Sequence, residues 1–574
     1  MTDLEATTRA WIDGDPDPRT RAELTALVET GAAEEIEDRM NGSLAFGTAG
    51  LRGVVEAGSN RMNRATVIRT TAGLARYLIA HTDPDERLVV IGRDARPSSP
   101  AFMDDAIGVL LAAGFRVSYF AHPTPTPLVA YAGLTMGACA SIVITASHNP
   151  PADNGYKVYA GTGVQITPPT DADIAARIDE VGAANQVPRS ASPYVGPDVF
   201  AIGPDVFEGY LRSIAASLPT ITGDRGISIV YTPLHGVGGT FVVEALRRFG
   251  FKYVHPVARQ FEPDGRFPTL AFPNPEEPGA LDLAHDLAQA VDADLVLAND
   301  PDTDRLAVSV PIPGGDWRPL TGNQIGCLLA EYLLGHGTGG GRTVVNSIVS
   351  TPMLGDIASA HGVTWRQSLT GFKWIWSAAL DLERQGHGDL VLGFEEALGY
   401  SIGTTVRDKD GIAAAVAFAI LAGEAAADHA IVLDRLGDLY RKYGIWASAQ
   451  VSIRREGPSG GDEIAEAMLR LRTGPPSSIA DVTVNAVTDY ATGADLRPWY
   501  LGETNLIELE LGEIGRVLVR PSGTEPLLKI YVDLTTPLPS DGSWPAAEDA
   551  LIERAEKVGE ALATWLEAPV AGER

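Results

Sequence analysis

The chain has 574 residues, with 45 Lys and Arg against 74 Asp and Glu, a formal charge of −29, 45% hydrophobic and 21% charged residues. A surface field of that sign repels nucleic acid and anionic lipid, so neither is an expected partner, and the globular composition leaves no long disordered or fibrous tract. At roughly 150 residues per domain the length predicts three or four domains.

At the N-terminus, "MTDLEATTRAWIDGD" carries acidic residues and no apolar core of a signal peptide, so no secretory signal is expected. Cys139 and Cys327 stand alone without CxxC spacing, which argues against a disulfide framework or structural zinc and for a reducing, cytoplasmic setting. Further along, Met103, Ile107, Leu110 and Leu111 share a helical face that stops at Gly114 before the strand-like "FRVSYF". The same helix-to-strand grammar recurs around Gly250 and Gly362, so related α/β layers follow one another in series. Apolar runs "RLVVIG", "SIVITA", "GISIVYT" and "ADLVLAND" each stop at polar loops, as strands of sheets covered on both faces do, and ligand loops belong at such ends. The stretch Ile412 to Ala422, "IAAAVAFAILA", is shorter than the roughly 18 to 20 residues that span a bilayer and predicts a buried helix. Alternating patterns after Ile507 and a helix near Ala546 to Leu566 predict a smaller α+β domain at the C-terminus. Breaks at "VPRSASPYVGPDV", "PIPGGDWRPL" and "RREGPSGGDE" place the expected domains at 1–200, 201–318, 319–453 and 454–574.

Four loops carry candidate chemistry. In "SIVITASHNPPADNGYKVY", Ser147 follows a strand and is stiffened by Pro150 and Pro151; a serine so placed can be a nucleophile or phosphate carrier, with His148 or Lys157 to move protons. Taken alone, the loop reads as a plain polar turn made by Asn149, Asn154 and Gly155. In "LANDPDTDRLAV", Asp300, Asp302 and Asp304 sit at alternate positions and can converge on one hard divalent cation. An EF-hand fails here because Arg305 and Pro311 stand where Gly and Glu are required, which leaves a solvated acidic turn as the rival.

In "LGFEEALGYSIGTTVRDKDG", Glu395 and Glu396 can accept hydrogen bonds from sugar-like hydroxyls, and Arg407 and Lys409 can meet an anion; by itself the run reads as a solvated charged loop. In "VLVRPSGTEPLLKIYV", Arg520 offers a planar donor fork, Ser522 and Thr524 offer hydroxyls, and Gly523 lets backbone N–H groups approach an oxyanion. A plain hairpin turn is the alternative. Screening over roughly 8 Å allows such local cations to hold a small phosphorylated metabolite on an acidic protein.

Together and in this order, "TASHNP", "DPDTDR", "GFEEALGY" and "RPSGTEP" resemble the four active-site loops of the α-D-phosphohexomutase superfamily, and "FGTAGLRG", "YTPLHGVGG" and "LTGFKWI" extend the likeness from near residue 40 to near residue 535. The resemblance implies an α/β protein of four domains around a central cleft: three related α/β domains with mixed sheets covered by helices, then a smaller α+β domain. It implies that Ser147 is held as a phosphoserine and coordinates one Mg²⁺ with Asp300, Asp302 and Asp304. It also implies that a small sugar monophosphate passes through a sugar bisphosphate, with net exchange of 1-phosphate and 6-phosphate.

By motif position, Arg52 and Lys157 would flank the reacting phosphoryl, Lys157 or His148 would transfer the proton, and Arg305 would support the metal loop. Thr370, Gly371, Glu395 and Glu396 would border and hold the sugar. Lys409 and Arg407 would assist phosphate binding, and Arg520, Ser522, Gly523 and Thr524 would hold the non-reacting phosphate. Many hexomutases read DGDGDR where Pro301 and Thr303 stand here, and carry a serine where Ala397 stands. These departures resemble the branch of type-2 phosphoglucomutases and phosphopentomutases, so a pentose is the alternative to glucose or mannose, and a metal-dependent sugar phosphatase or a non-catalytic sugar-phosphate binder are the remaining readings. No oligomeric state is specified.

Overall fold

The computed structural model describes residues 3–47, 50–219, 223, 225–337, 341–455, 460–522 and 527–567. The chain separates into two compact units, Met1–Leu320 with Leu398–Ala427, and Thr321–Ala397 with Asp428–Arg574.

The first unit begins with the helices Asp3–Gly14, Pro18–Thr30 and Ala33–Met40. Its first sheet contains β1 (Leu51–Val54), β2 (Leu88–Arg93), β3 (Arg116–Tyr119), β4 (Ala140–Ile144), β5 (Asp153–Ala160) and β6 (Val199–Ala201), in the order β1-β5-β4-β2-β3-β6. Strands β4, β2, β3 and β6 run parallel, whereas β5 is antiparallel to both β1 and β4. The continuous apolar runs Val89–Ile91 and Ile142–Ile144 are fully buried, because the helices Ser99–Ala112 and Thr126–Thr135 pack on the sheet. Gly114 stops the first of these helices at φ 84, a left-handed conformation that glycine adopts at little cost.

The second sheet joins β7 (Ser228–Thr232), β8 (Tyr253–Pro256), β9 (Leu295–Ala298), β10 (Ala307–Pro311) and β11 (Trp317–Pro319) in the order β11-β10-β9-β7-β8. The segment "PIPGGDWRPL", expected as an interdomain break, holds the hairpin between β10 and β11 and ends at Leu320, where the first unit gives way to the second. Val310 pairs with Arg318 across it, and Gly314 and Gly315 reverse the chain at φ 112 and 94.

In the second unit, β12 (Arg342–Ser347) lies between β13 (Thr364–Ser368) and β14 (Asp389–Glu395), all parallel. The preceding helix, Gly322–His336, starts with a reciprocal cap in which the Thr321 side chain accepts from the Gln324 N–H and the Gln324 side chain accepts from the Thr321 N–H. The chain then returns to the first unit with β15 (Gly399–Ile402) and the helix Gly411–Ala427. Ile412 to Ile420 on that helix are at most 1% exposed, so the apolar run is core; among the described residues no single helix is long and apolar enough to cross a membrane.

Asp410 caps that helix. Its Oδ1 accepts the Ile412 and Ala413 N–H groups at 3.1 and 2.9 Å and the Tyr210 hydroxyl at 2.6 Å, while its buried Oδ2 has no hydrogen-bond partner among the described residues. Burial pushes the Asp410 carboxyl up to about 6, against those hydrogen bonds. An acid raised in the folded state contributes stability that is complete below its unfolded value of 3.8 and is lost as pH rises through about 6. Asp410→Asn keeps an acceptor for the cap and removes the buried charge. Its stability relative to the parent should therefore rise by on the order of 3 kcal/mol between about pH 4 and pH 7. Urea denaturation across that range checks this, and parallel stability curves would contradict it.

The last sheet contains β16 (Ile445–Arg454), β19 (Ala486–Asp489), β20 (Ile507–Glu510), β21 (Gly515–Pro521) and β22 (Leu527–Thr536), antiparallel in the order β16-β22-β21-β20-β19; β17 (Ser478–Ile479) and β18 (Val482–Thr483) form a separate small hairpin. The helix Trp544–Glu567 packs on β16 and β22. Pairing from Ile445↔Thr536 to Arg454↔Leu527 recruits β16 into this sheet, ahead of the boundary expected at 454. The whole is an α/β fold of four domains, three α/β and a C-terminal one.

Candidate active site

The predicted site residues fall into two groups, one in each unit. In the first unit, the loop after β4 turns sharply at Ser147, whose φ of 53 is left-handed for a residue with a Cβ, and the Thr145 hydroxyl accepts the Ser147 N–H at 2.9 Å. Ser147 is 2% exposed; its Oγ donates to Asp300 Oδ2 at 2.9 Å and lies 3.2 Å from His148 Nδ1. Burial, with Arg305 and Arg52 nearby, holds the His148 imidazole well below its usual pKa, so the ring is neutral.

The loop after β9 folds back because the Thr303 N–H donates to the Asp300 carbonyl at 2.9 Å and Asp300 Oδ1 accepts the Asp304 and Arg305 N–H groups at 3.1 and 3.0 Å. Thr303 takes the turn at φ 65. One carboxylate oxygen from each of Asp300, Asp302 and Asp304 then lies within 4.8 Å of the others, all buried. Lys157 Nζ on β5 donates to Asp302 Oδ2 at 2.6 Å and to Asp304 Oδ2 at 2.9 Å; Thr126 Oγ1 donates to Asp302 Oδ2 at 2.8 Å; Lys409 Nζ lies 3.4 Å from Asp304 Oδ2.

Burial raises the Asp300 carboxyl well above the usual range, with Asp302 and Asp304 adding to it. Burial acts the same way on Asp302, but the Lys157 ammonium outweighs it and holds Asp302 well below the usual range. Burial pulls the Lys157 pKa down, but Asp302 and Asp304 outweigh it and keep the amine charged. The Oδ1 atoms of Asp302 and Asp304 are buried with no hydrogen-bond partner among the described residues. Desolvated carboxylate oxygens of this kind are costly unless something positive meets them. The donor set, three hard oxygens on one loop, therefore fits a Mg²⁺-type cation.

Arg52, on β1 opposite Gly155, completes the positive surround with a buried Nε that has no hydrogen-bond partner among the described residues. The Arg305 guanidinium lies 3.8 Å from Glu276. Arg407 donates to the Thr162 carbonyl at 2.7 Å. Asp408, which the sequence reading did not single out, is fully buried and accepts the Tyr159 hydroxyl at 2.6 Å and Gln165 Nε2 at 2.7 Å, tying the Arg407–Lys409 segment to β5. Gly411 lets that segment close on the aspartate loop after β9, since a Cβ there would lie 2.5 Å from the Arg305 carbonyl oxygen and 2.7 Å from that of Thr303.

In the second unit, Glu395 ends β14 and its Oε1 accepts the Gly371 N–H at 2.5 Å, and Arg520 on β21 donates to Thr370 Oγ1. The Arg520 Nε is buried with no hydrogen-bond partner among the described residues. Glu396 Oε2 accepts from Ser347 Oγ at 3.1 Å and Ser350 Oγ at 3.0 Å, and the Glu396 N–H donates to Ser350 Oγ at 3.0 Å. Those two serines, absent from the sequence reading, give Glu396 hydroxyl contacts that Ala397 cannot make. Their turn is in turn held by Arg516, 7% exposed, which donates from Nε to Asp533 at 3.1 Å and from one terminal nitrogen to the Ile348 and Ser350 carbonyls at 2.8 and 2.9 Å. Ile348 and Val349 also join Tyr490, Leu506, Leu518 and Tyr531 in one apolar cluster. The Ser522 N–H donates to the Leu527 carbonyl at 2.7 Å. Gly523 and Thr524 lie outside the described residues.

Comparison with known proteins adds a class to this geometry. Residues 43–185, 208–312 and 321–443 match the models of the first, second and third α/β/α domains of phosphoglucomutase/phosphomannomutase, and residues 480–537 match that of its C-terminal domain. The chain thus belongs to the phosphoglucomutase/phosphomannomutase family of the α-D-phosphohexomutase superfamily, and it is a phosphosugar mutase, an isomerase-class phosphotransferase.

A probable phosphomannomutase of Haemophilus influenzae is 39% identical over 493 residues, covering 85% of this chain and 96% of its own length. A probable phosphoribomutase of Schizosaccharomyces pombe is 36% identical over 547 residues, covering 91% and 92%. The crystal structure of a phosphoglucomutase/phosphomannomutase family protein from Burkholderia thailandensis shares the fold at a TM-score of 0.65 and 20% identity, over 90% of this chain and 97% of that one.

Proposed function

We propose that the protein interconverts glucose or mannose 1-phosphate and 6-phosphate through a phosphoserine at Ser147 and a bisphosphorylated sugar. The observation that carries this reading is the hydrogen bond from Ser147 Oγ to Asp300, inside a buried trio of aspartates whose cationic neighbours are Lys157 and Lys409. In the first transfer a sugar hydroxyl gives up its proton, its oxygen forms the new O–P bond, and Ser147 Oγ leaves. The second transfer reverses these roles at the other end of the sugar. His148, neutral and beside Ser147 Oγ, is the better proton acceptor, whereas Lys157 keeps its charge on two carboxylates.

Asp300, Asp302, Asp304 and the Ser147 phosphoester would hold Mg²⁺, which when bound neutralises the charge of the transferring phosphoryl group. Arg52 flanks that group. Glu395 and Glu396 hold sugar hydroxyls beside Thr370 and Gly371, with Glu396 kept in one orientation by Ser347 and Ser350. Arg520 with Ser522, Gly523 and Thr524 takes the non-reacting phosphate, and a sugar bisphosphate released early would rephosphorylate Ser147 and so act as activator.

The two relatives divide over the sugar, one being named for mannose and the other for ribose, which keeps ribose 1-phosphate to 5-phosphate as the second reading. Glucose, mannose, glucosamine and ribose 1-phosphates compared by kcat/KM, with inorganic phosphate followed in parallel, test both. A hexose 6-phosphate formed with little free phosphate is expected. A higher kcat/KM for ribose 1-phosphate would move the assignment to the pentose, and dominant phosphate release would replace it with hydrolysis.

A further inference from the structure

We propose that Arg96 is a positioning residue for phosphoryl transfer, holding Ser147 in its left-handed conformation so that Oγ stays on Asp300; this rests on Ser147 being the phosphoryl carrier. Arg96 is 1% exposed, and each of its five N–H donors has a partner. One terminal nitrogen donates to the carbonyls of Ser147 at 2.8 Å and Asn149 at 2.7 Å, the other to those of Pro150 at 2.6 Å and Asp153 at 2.8 Å. Nε donates to Asp94 Oδ2 at 3.1 Å, and Asp94 Oδ1 accepts the Arg96 N–H at 3.0 Å and the Ser99 hydroxyl at 2.6 Å. The Phe267 ring centroid lies 5.2 Å from the guanidinium carbon, and a Cβ on Gly265 would come within 2.4 Å of Arg96 Cα, so the second domain closes directly over this residue.

The pattern is more than a buried charge needs. One ion pair with Asp94 satisfies the charge, while the remaining four donors all fall on a single loop, between Ser147 and Asp153. A residue other than glycine at φ 53 is held against its preference and persists only where its surroundings over-determine it. The bond to the Ser147 carbonyl fixes the peptide plane that leaves Ser147, and the other three fix the turn that follows. Without them the backbone can relax and carry Oγ away from Asp300. Lysine has one nitrogen and cannot span four carbonyls, so Arg96→Lys keeps the charge and removes the fork.

The expected result for Arg96→Lys is a fall in kcat for glucose 1-phosphate of about 100-fold, with KM within about twofold, because a small misplacement of the reacting atom costs rate while sugar contacts are made elsewhere. Hydrogen exchange of the amides between Ser147 and Asp153 should speed up in the same variant. A folded variant with kcat within about threefold of the parent, or with its loss confined to KM, overturns the proposal. Should Arg96→Lys fail to fold, Asp94→Asn loosens the anchor and keeps the guanidinium; a lowered kcat at unchanged KM supports the role, and parent-like kcat overturns it. The Ser147→Ala variant separates the two claims, since full turnover there removes the carrier itself, whereas an inactive Ser147→Ala beside an unimpaired Arg96→Lys removes only the clamp.

Discussion

Ser147→Ala is expected to lower turnover of glucose 1-phosphate by about 10⁴-fold or more while leaving its dissociation constant within about threefold of the parent. The substitution deletes the proposed phosphoryl carrier and little else. Alanine tolerates φ 53 no better and no worse than serine, and the Thr145 hydroxyl and Arg96 still hold the backbone on either side. The sugar and distal-phosphate contacts proposed for Glu395, Glu396 and Arg520 are untouched, so binding survives. Loss of the Oγ donor leaves the buried Asp300 Oδ2 one bond short, at a cost of about 1–3 kcal/mol. A coupled assay for the 6-phosphate, calorimetric titration with the 1-phosphate and intact mass cover the three consequences; the parent should carry one covalent phosphate that the variant lacks. Unimpaired turnover would refute the carrier role.

What the sequence revealed and what it hid divide by distance along the chain. Gly114, Gly250 and Gly362 end helices at positive φ because the signal is local, a helical face followed by a residue without a Cβ. The aspartate trio was legible for the same reason, its spacing falling within one loop. The strand β16 was not, since its partner β22 follows only after several further strands, and the hairpin of β10 and β11 was hidden behind glycines and prolines that read as a linker.

The supporting residues escaped in the same way. Thr126 meets Asp302 across 176 residues, Asp408 meets Tyr159 across 249, and Ser347 meets Glu396 across 49. Arg96 meets Ser147 across 51. Each is an ordinary polar residue in sequence, and gains a place in the candidate site only through a partner that the fold delivers. The four candidate loops are dense in chemistry and announce themselves; the side chains that fix them do not.

Mg²⁺ is expected to raise the melting temperature of the parent protein, and Asp302→Asn to abolish most of that rise together with turnover. A cation that binds only the folded chain stabilises it by RT ln(1 + [Mg²⁺]/Kd), about 2.7 kcal/mol at a hundredfold excess over Kd. The buried, unpartnered Oδ1 atoms of Asp302 and Asp304 are the groups with most to gain, because Lys157 already covers the opposite oxygen of each. Asparagine at 302 keeps the size, can still accept from Thr126, and removes one of the three carboxyl groups that would face a cation. Lys157 then retains Asp304 as its carboxylate partner, so the fold should persist and the loss should be read as cation affinity and not as collapse. Turnover at fixed Mg²⁺ should fall by about 10³-fold, the scale of removing a principal electrostatic contact to the transferring group. Melting curves at increasing Mg²⁺, run on parent and variant without substrate, separate binding from catalysis. An Asp302→Asn protein that keeps the parental rise with Mg²⁺ would show that the trio does not hold the cation, and turnover within tenfold of the parent would show that the carboxylate does not serve the transfer.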